Sequence, residues 1–253
     1  MFGAKIAMAL GIVTLFSACD GAGPSGATQT VNLNVATGPA GIAAAAPESL
    51  SAGGHTMVID QVELVLREIR LKRVEDEEAE CDGSGASVPA TAASDGDDDD
   101  HDACEYFVAG PMLLDLALGG GPEHLVSIDV DTGSYRRVEF RIQKPDDGSQ
   151  QAFIAEHPDF ARISVRVTGS FDGQAFSYTS DVNAKQKVRL ASPLVLSGGQ
   201  TDLTLVVDVR SWFVSGSRLI DPAAGGSDKS TIENNIRNSF RLFEDRDRDG
   251  RED

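Results

Sequence analysis

The sequence predicts an all-β fold: an antiparallel β-sandwich with a C-terminal α-helix and a disordered acidic loop. Three observations predict it. Short segments rich in Val, Ile, Leu and aromatic residues recur at near-regular spacing between Gly, Asp, Ser and Pro clusters, the pattern of a sandwich. Asp172-Gly173 stands between two alternating segments, as a two-residue hairpin turn requires. Near the end of the chain the apolar period changes to that of a helix.

The segments run in order. Thr30–Thr37 (TVNLNVAT) alternates Val31, Leu33 and Val35 with polar neighbours, a half-buried strand. Residues 55–74 admit a helix face (Val58, Val62, Val65, Ile69) or a strand face. Dense β-branched residues and missing caps favour strands, with Val62, Leu64 and Leu66 inward and then, after a bulge near Arg67–Glu68, Ile69 and Leu71. Met112–Leu118, His124–Val130 and Tyr135–Lys144 follow as strands separated by turn chemistry, GGGPE and DTGS. Arg162–Val182 forms the hairpin around Asp172-Gly173, and Lys185–Leu190 and Thr201–Phe213 complete the set. Beyond them Ile232, Ile236, Phe240 and Phe243 make a helical stripe. Ser230 and Glu233 form a capping box, so the spacing predicts a helix over about 231–243.

The other end sets the compartment. MFGAKIAMALGIVTLFSA places Lys5 before an apolar run too short to span a bilayer, closed by small residues: an export signal over residues 1–18. The context LFSAC resembles the lipobox of bacterial lipoproteins, with Phe16 where leucine is usual. The resemblance implies that Cys19 is lipidated and holds the protein on a membrane. Residues 19–29, rich in Gly and Ser, suit a flexible tether. In an oxidising compartment Cys81 and Cys104 read as a disulfide, contributing about 3 kcal/mol by loop closure. A thiolate metal site would need more ligands at short spacing. The insertion they bracket, residues 80–104, is low in complexity. From Glu75 to Glu105 there are thirteen acids and no Lys or Arg, so it reads as a disordered loop. Asp97–Asp100, His101 and Asp102 within it raise a second reading, a divalent-cation buffer or sensor.

The formal charge is −18, and removing residues 1–18 takes away one Lys and leaves −19. Such a chain repels nucleic acid and anionic headgroups as partners of its folded part and attracts cations. One sandwich domain over 30–215, followed by a linker, helix and tail over 216–253, accommodates the length.

The order of export signal, lipid-accepting Cys, VELVLREIRL, Cys-flanked acidic insertion, GPMLLDLAL, DTGSYRRVEFRI and DLTLVVDVRSWF resembles a group of bacterial lipoproteins. These carry a transthyretin-like or carboxypeptidase-regulatory-like β-sandwich, a domain of unknown function. The most distinctive shared element is Gly133-Ser134-Tyr135 leading into a strand. The resemblance implies the fold and the anchor, and nothing about mechanism.

The sequence closes on FEDRDRDGRED. Asp245, Asp247 and Asp249 fall at positions 1, 3 and 5 of a calcium loop, Gly250 at 6, Arg251 (through its carbonyl) at 7 and Asp253 at 9. Alternate carboxylates in a tight turn converge on one centre. SFRLFEDRDRDG is similar to an EF-hand's incoming helix and loop, with Glu244 extra, and also fits shorter Asp-x-Asp-x-Asp-Gly repeats of secreted calcium modules. Arg246, Arg248 and Arg251 dilute the field, which points to the weak affinities of extracellular sites.

No Gly-x-Ser-x-Gly elbow, His-Glu-x-x-His or Walker loop is present, no Gly-x-Gly-x-x-Gly follows a strand, and His55, His101, His124 and His157 are scattered. No catalysis and no organic cofactor are expected. An envelope hydrolase is the remaining alternative, since folds host unrelated chemistries. The expectation is an exported, membrane-anchored binding or structural module of the envelope that binds calcium weakly at its tail and engages an envelope protein or ligand.

Overall fold

The computed structural model describes residues 28–37, 47–74, 105–108 (backbone only), 110–146, 148–223 and 225–252. Cys19, Cys81, Cys104 and Asp253 lie outside the described residues, as do the signal and all but the last two residues of the tether.

Two sheets face each other. The first contains β1 (Thr28–Thr37), β6 (Glu123–Asp131), β11 (Gln200–Val207) and β14 (Phe240–Glu244), in the order β14-β11-β1-β6. The second is built on the long strand β3 (His55–Arg73). With β7 (Gly133–Ile142), β8 (Val165–Phe171), β9 (Gln174–Ser180) and β10 (Ala184–Leu196) it runs β10-β7-β3-β8-β9. Three short strands, β2 (Glu48–Ala52), β4 (Glu105–Val108) and β5 (Met112–Asp115), also pair with β3. A small hairpin of β12 (Val214–Ser215) and β13 (Arg218–Leu219) stands apart. The sandwich expected from the sequence is the fold found, with one parallel pair, β1 beside β11, among antiparallel neighbours.

The core lies between the sheets. Val31, Leu33 and Val35 of β1 and Leu203, Leu205 and Val207 of β11 meet Ile59, Val62, Leu64, Leu66, Val138 and Phe140 from the facing sheet. The expected slip in β3 is present: Val62, Leu64 and Leu66 point inward, then Ile69 and Leu71, with Glu68 at φ 53 and a register shift between Arg67 and Arg70. The Asp172-Gly173 turn joins β8 to β9 with both residues at positive φ, 50 and 77, as a primed hairpin turn demands. Gly169 in β8 is a close-approach glycine, since a Cβ there would run into the Val58 carbonyl oxygen of β3.

Two expectations are corrected at the C-terminus. The helix is α2, Ser227–Arg237, and ends before Phe240; Phe240–Glu244 is strand β14, paired antiparallel with β11. Its N-cap is Gly226 at φ 64, while Ser230 lies inside the helix and its Oγ faces the Gly226 carbonyl at 3.4 Å, so no capping box forms. Ile232 and Ile236 are fully buried as the stripe required. Phe240 and Leu242 alternate inward from a strand instead, because β11 would otherwise leave its outer edge without a ladder partner. Residues 240–244 therefore belong to the sandwich. Asn235 of α2 donates to the Trp212 and Val214 carbonyls at 3.1 and 2.9 Å, tying the helix to the sandwich end. A six-residue helix α1, Gln151–Glu156, which the strand pattern gave no sign of, joins β7 to β8.

Candidate metal centre

The outward face of the first sheet is polar but not open. Asn32 and Asn34 on β1 stand in register with Asp202 and Thr204 on β11, and all four are buried. Polar groups removed from water need partners. Asp202 Oδ1 accepts from Asn32 Nδ2 at 3.1 Å and from Asn34 Nδ2 at 3.4 Å, and Ser127 Oγ donates to Asn32 Oδ1 at 2.8 Å.

The segment after β14 turns back onto this face. Arg248 reaches Asp202 Oδ1 through both Nε and Nη2 at 2.8 Å. Burial would push the Asp202 carboxyl up. The hydrogen bonds from Arg248, Asn32 and Asn34, together with the Arg248 charge, outweigh it and hold the group below its ordinary value. Arg248 itself sits at φ 57, a left-handed conformation costly for a side chain with a Cβ, so the contact to Asp202 maintains a strained turn. Gly250 follows at φ 77, the sharp turn its place in the motif required.

That turn gathers the three predicted aspartates. One carboxylate oxygen from each of Asp245, Asp247 and Asp249 lies within 4.8 Å of the others. Two oxygens on one calcium ion are at most about 5 Å apart, twice the ~2.3–2.6 Å bond, so the spacing fits a shared ion. Asp247 Oδ1 accepts from the Asp249 N–H at 3.2 Å and Asp249 Oδ1 from the Arg251 N–H at 2.8 Å, fixing both side chains over the loop. Asp247, Asp249 and Arg251 are exposed.

Asp245 differs from its companions. It is fully buried, its backbone N–H donates to the Asp202 carbonyl at 3.0 Å, and its Oδ2 accepts from Thr204 Oγ1 at 2.6 Å and from the Gly250 N–H at 3.0 Å. Its Oδ1 is buried with no hydrogen-bond partner among the described residues. A buried carboxylate oxygen without a donor is costly, and a cation is one of the few groups that could satisfy it.

The arrangement departs from the EF-hand likeness in its entry. A strand, not a helix, leads into the loop, which leaves the shorter Asp-x-Asp-x-Asp-Gly pattern as the better description. Sequence reasoning found the aspartates and missed Asp202, Thr204, Asn32 and Asn34. Their signal was the polar alternate set in VNLNV and TDLTL, visible only once the two strands are placed side by side.

No family model matches the chain, and no curated protein matches it. Among solved structures it is similar to "MbnP from Methylosinus trichosporium", at 16% identity over 79% of this chain and 82% of that chain, with a TM-score of 0.38.

Proposed function

We propose that this protein is an exported, lipid-anchored β-sandwich of the cell envelope that binds calcium in the loop 245–251, where the ion pins the C-terminal segment to the first sheet. The observation that carries the calcium reading is the buried, unpartnered Asp245 Oδ1 beside two further carboxylates at ion-sharing distance. The lipid anchor is supported by the LFSAC context at Cys19 and the short apolar run before it. Calcium suits the site better than a softer metal because every side-chain donor is a carboxylate oxygen.

The ion's role is structural. The loop closes over Asp202 and Thr204, so occupancy stabilises the β11–β14 edge by mass action on the folded state. Weak binding is expected, since three arginines interleave with the acids and two of the three aspartates are solvent-facing.

Calorimetric titration of the full chain with calcium tests the proposal, beside Asp245→Asn and a double variant Asp247→Ala, Asp249→Ala. The expected result is a saturable isotherm at sub-millimolar to millimolar concentration, lost in the double variant, with a calcium-dependent rise in Tm. Identical heats and identical Tm values across the three proteins would dispose of the site. Metabolic labelling with a palmitate analogue, compared with Cys19→Ala, tests the anchor separately.

A further inference from the structure

Each sheet ends on a strand with one free side. Among the described residues β10 has only β7 beside it and β14 has only β11, and the two lie near each other across one side of the sandwich without a ladder between them. The gap holds a cavity of about 680 Å³, the size of a small-molecule site. β10 lines it from Gln186 to Arg189 and β14 from Phe240 to Phe243, while Arg237 and Asn238 border it from the end of α2. The turn after β14 adds Gly250 and Glu252.

The lining carries four cations, Lys187, Arg189, Arg237 and Arg241, against a single carboxylate, Glu252. Arg189 and Arg241 make no salt bridge or side-chain hydrogen bond among the described residues. Arg237 donates to Asn234 Oδ1 at 3.1 Å, a neutral amide that leaves its charge unbalanced. Lys187 makes no salt bridge there either, and its charge reaches Glu139 only through space. Cations on an edge strand deter stray pairing, which would account for β10 or β14 taken singly. It does not account for cations of two edges gathered around one cavity, nor for Arg237, which belongs to a helix. Like charges so gathered repel one another until an anion enters.

We propose that this groove binds a small soluble organic molecule bearing two or more phosphate or carboxylate groups. Guanidinium groups take either oxyanion through paired N–H donors, and four cations around one cavity match a multiply charged ligand better than a single carboxylate. Val188, Phe240 and Leu242, all buried, give the wall apolar surface for a carbon skeleton. The formal charge of −18 repels an extended anionic surface. A small ligand inside the groove responds instead to charges within about 10 Å, the Debye length at 0.1 M salt. Glu252 is the one lining group that opposes it. The site does not rest on calcium, because its cations come from β10, α2 and β14, and the loop adds only Gly250 and that opposing carboxylate.

Calorimetric titration of the full chain in chelator, with pyrophosphate and with citrate against acetate, tests this. At least one of the polyvalent probes should give a saturable one-to-one isotherm that weakens as salt is raised, while acetate does not saturate. Arg189→Gln with Arg241→Gln should weaken binding about tenfold or more, and Glu252→Gln should tighten it about twofold or more. Lys144→Gln with Arg162→Gln removes the same charge at exposed positions outside the groove and should change the affinity by less than about twofold. No saturable binding of either probe overturns the proposal, as does equal weakening in the two double variants. Phosphatidylglycerol vesicles held through Arg189 and Arg241, with pyrophosphate unable to displace them, would assign the cations to a membrane surface and equally defeat it. Because chelator is present throughout, these outcomes stand whether or not the aspartate loop takes an ion.

Discussion

Thr204 Oγ1 donates a 2.6 Å hydrogen bond to Asp245 Oδ2, joining a strand in the middle of the first sheet to the first residue of the loop that follows the last strand. Both side chains are fully buried, so the bond cannot be replaced by water without opening the fold. Thr204→Val is isosteric and leaves Asp245 with one donor fewer. It is expected to lower stability by about 2 kcal/mol in chelator and to weaken calcium binding, because the loop loses its seat. Urea unfolding with and without calcium measures both effects. An unchanged midpoint in both conditions would show the bond to be incidental.

Asp202 links stability to pH. Its carboxyl is held below the ordinary value of 3.8 in the fold, so its contribution is complete above about pH 4 and is lost as pH falls through the lowered folded value. Arg248→Ala removes the largest of the influences that lower it. The Tm gap between wild type and Arg248→Ala is therefore expected to be widest at neutral pH and to close progressively below about pH 4. A gap that is constant with pH would mean that Arg248 acts through backbone strain alone.

Tyr178 supplies the alkaline counterpart. Burial pushes its hydroxyl up to about 12, above the ordinary value of 10.0. A raised folded value contributes stability that is present below pH 10 and is lost as pH climbs toward 12. Ultraviolet titration should therefore show a late tyrosine ionisation that Tyr178→Phe diminishes by one group. The variant should also melt at higher temperature than wild type near pH 11 and about equally at pH 7.

Gly169→Ala tests the packing of β8 on β3. The added methyl meets the Val58 carbonyl oxygen, which is backbone and cannot rotate away, so a loss of about 2–3 kcal/mol is expected. Gly173→Ala, at the exposed turn, strains φ without a clash and should cost about 1 kcal/mol. Reversal of that order would show that β8 shifts to accept the methyl.

What could be read from the sequence follows from how local each cause is. The bulge in β3 was legible because inward Val62, Leu64 and Leu66 and then Ile69 and Leu71 break step within one segment. The aspartate loop was legible because its three carboxylates lie within five residues. The end of α2 was not. Ile232, Ile236, Phe240 and Phe243 satisfy a helical period, while Phe240 and Leu242 equally satisfy a strand, and the choice is made by the edge of β11. Asp202 was illegible for the same reason at longer range. An aspartate alternating in a strand reads as solvent-facing until the loop from 245 onward is laid over it.

The parallel pairing of β1 with β11 has a kinetic consequence. Thr30 is matched with Gln200, and β14 closes the same sheet from residues 240–244, so the sheet is completed by strands from opposite ends of the described chain. Pairings that span so much sequence impose a large loop-closure entropy before any contact is gained, which makes folding slow. A half-synthesised chain holds β1 with only β6 to pair against and a naked edge awaiting β11. Such a polypeptide leaves its first sheet unfinished until residues 200–244 have emerged, so β1 stays half-paired through most of the synthesis of the described strands.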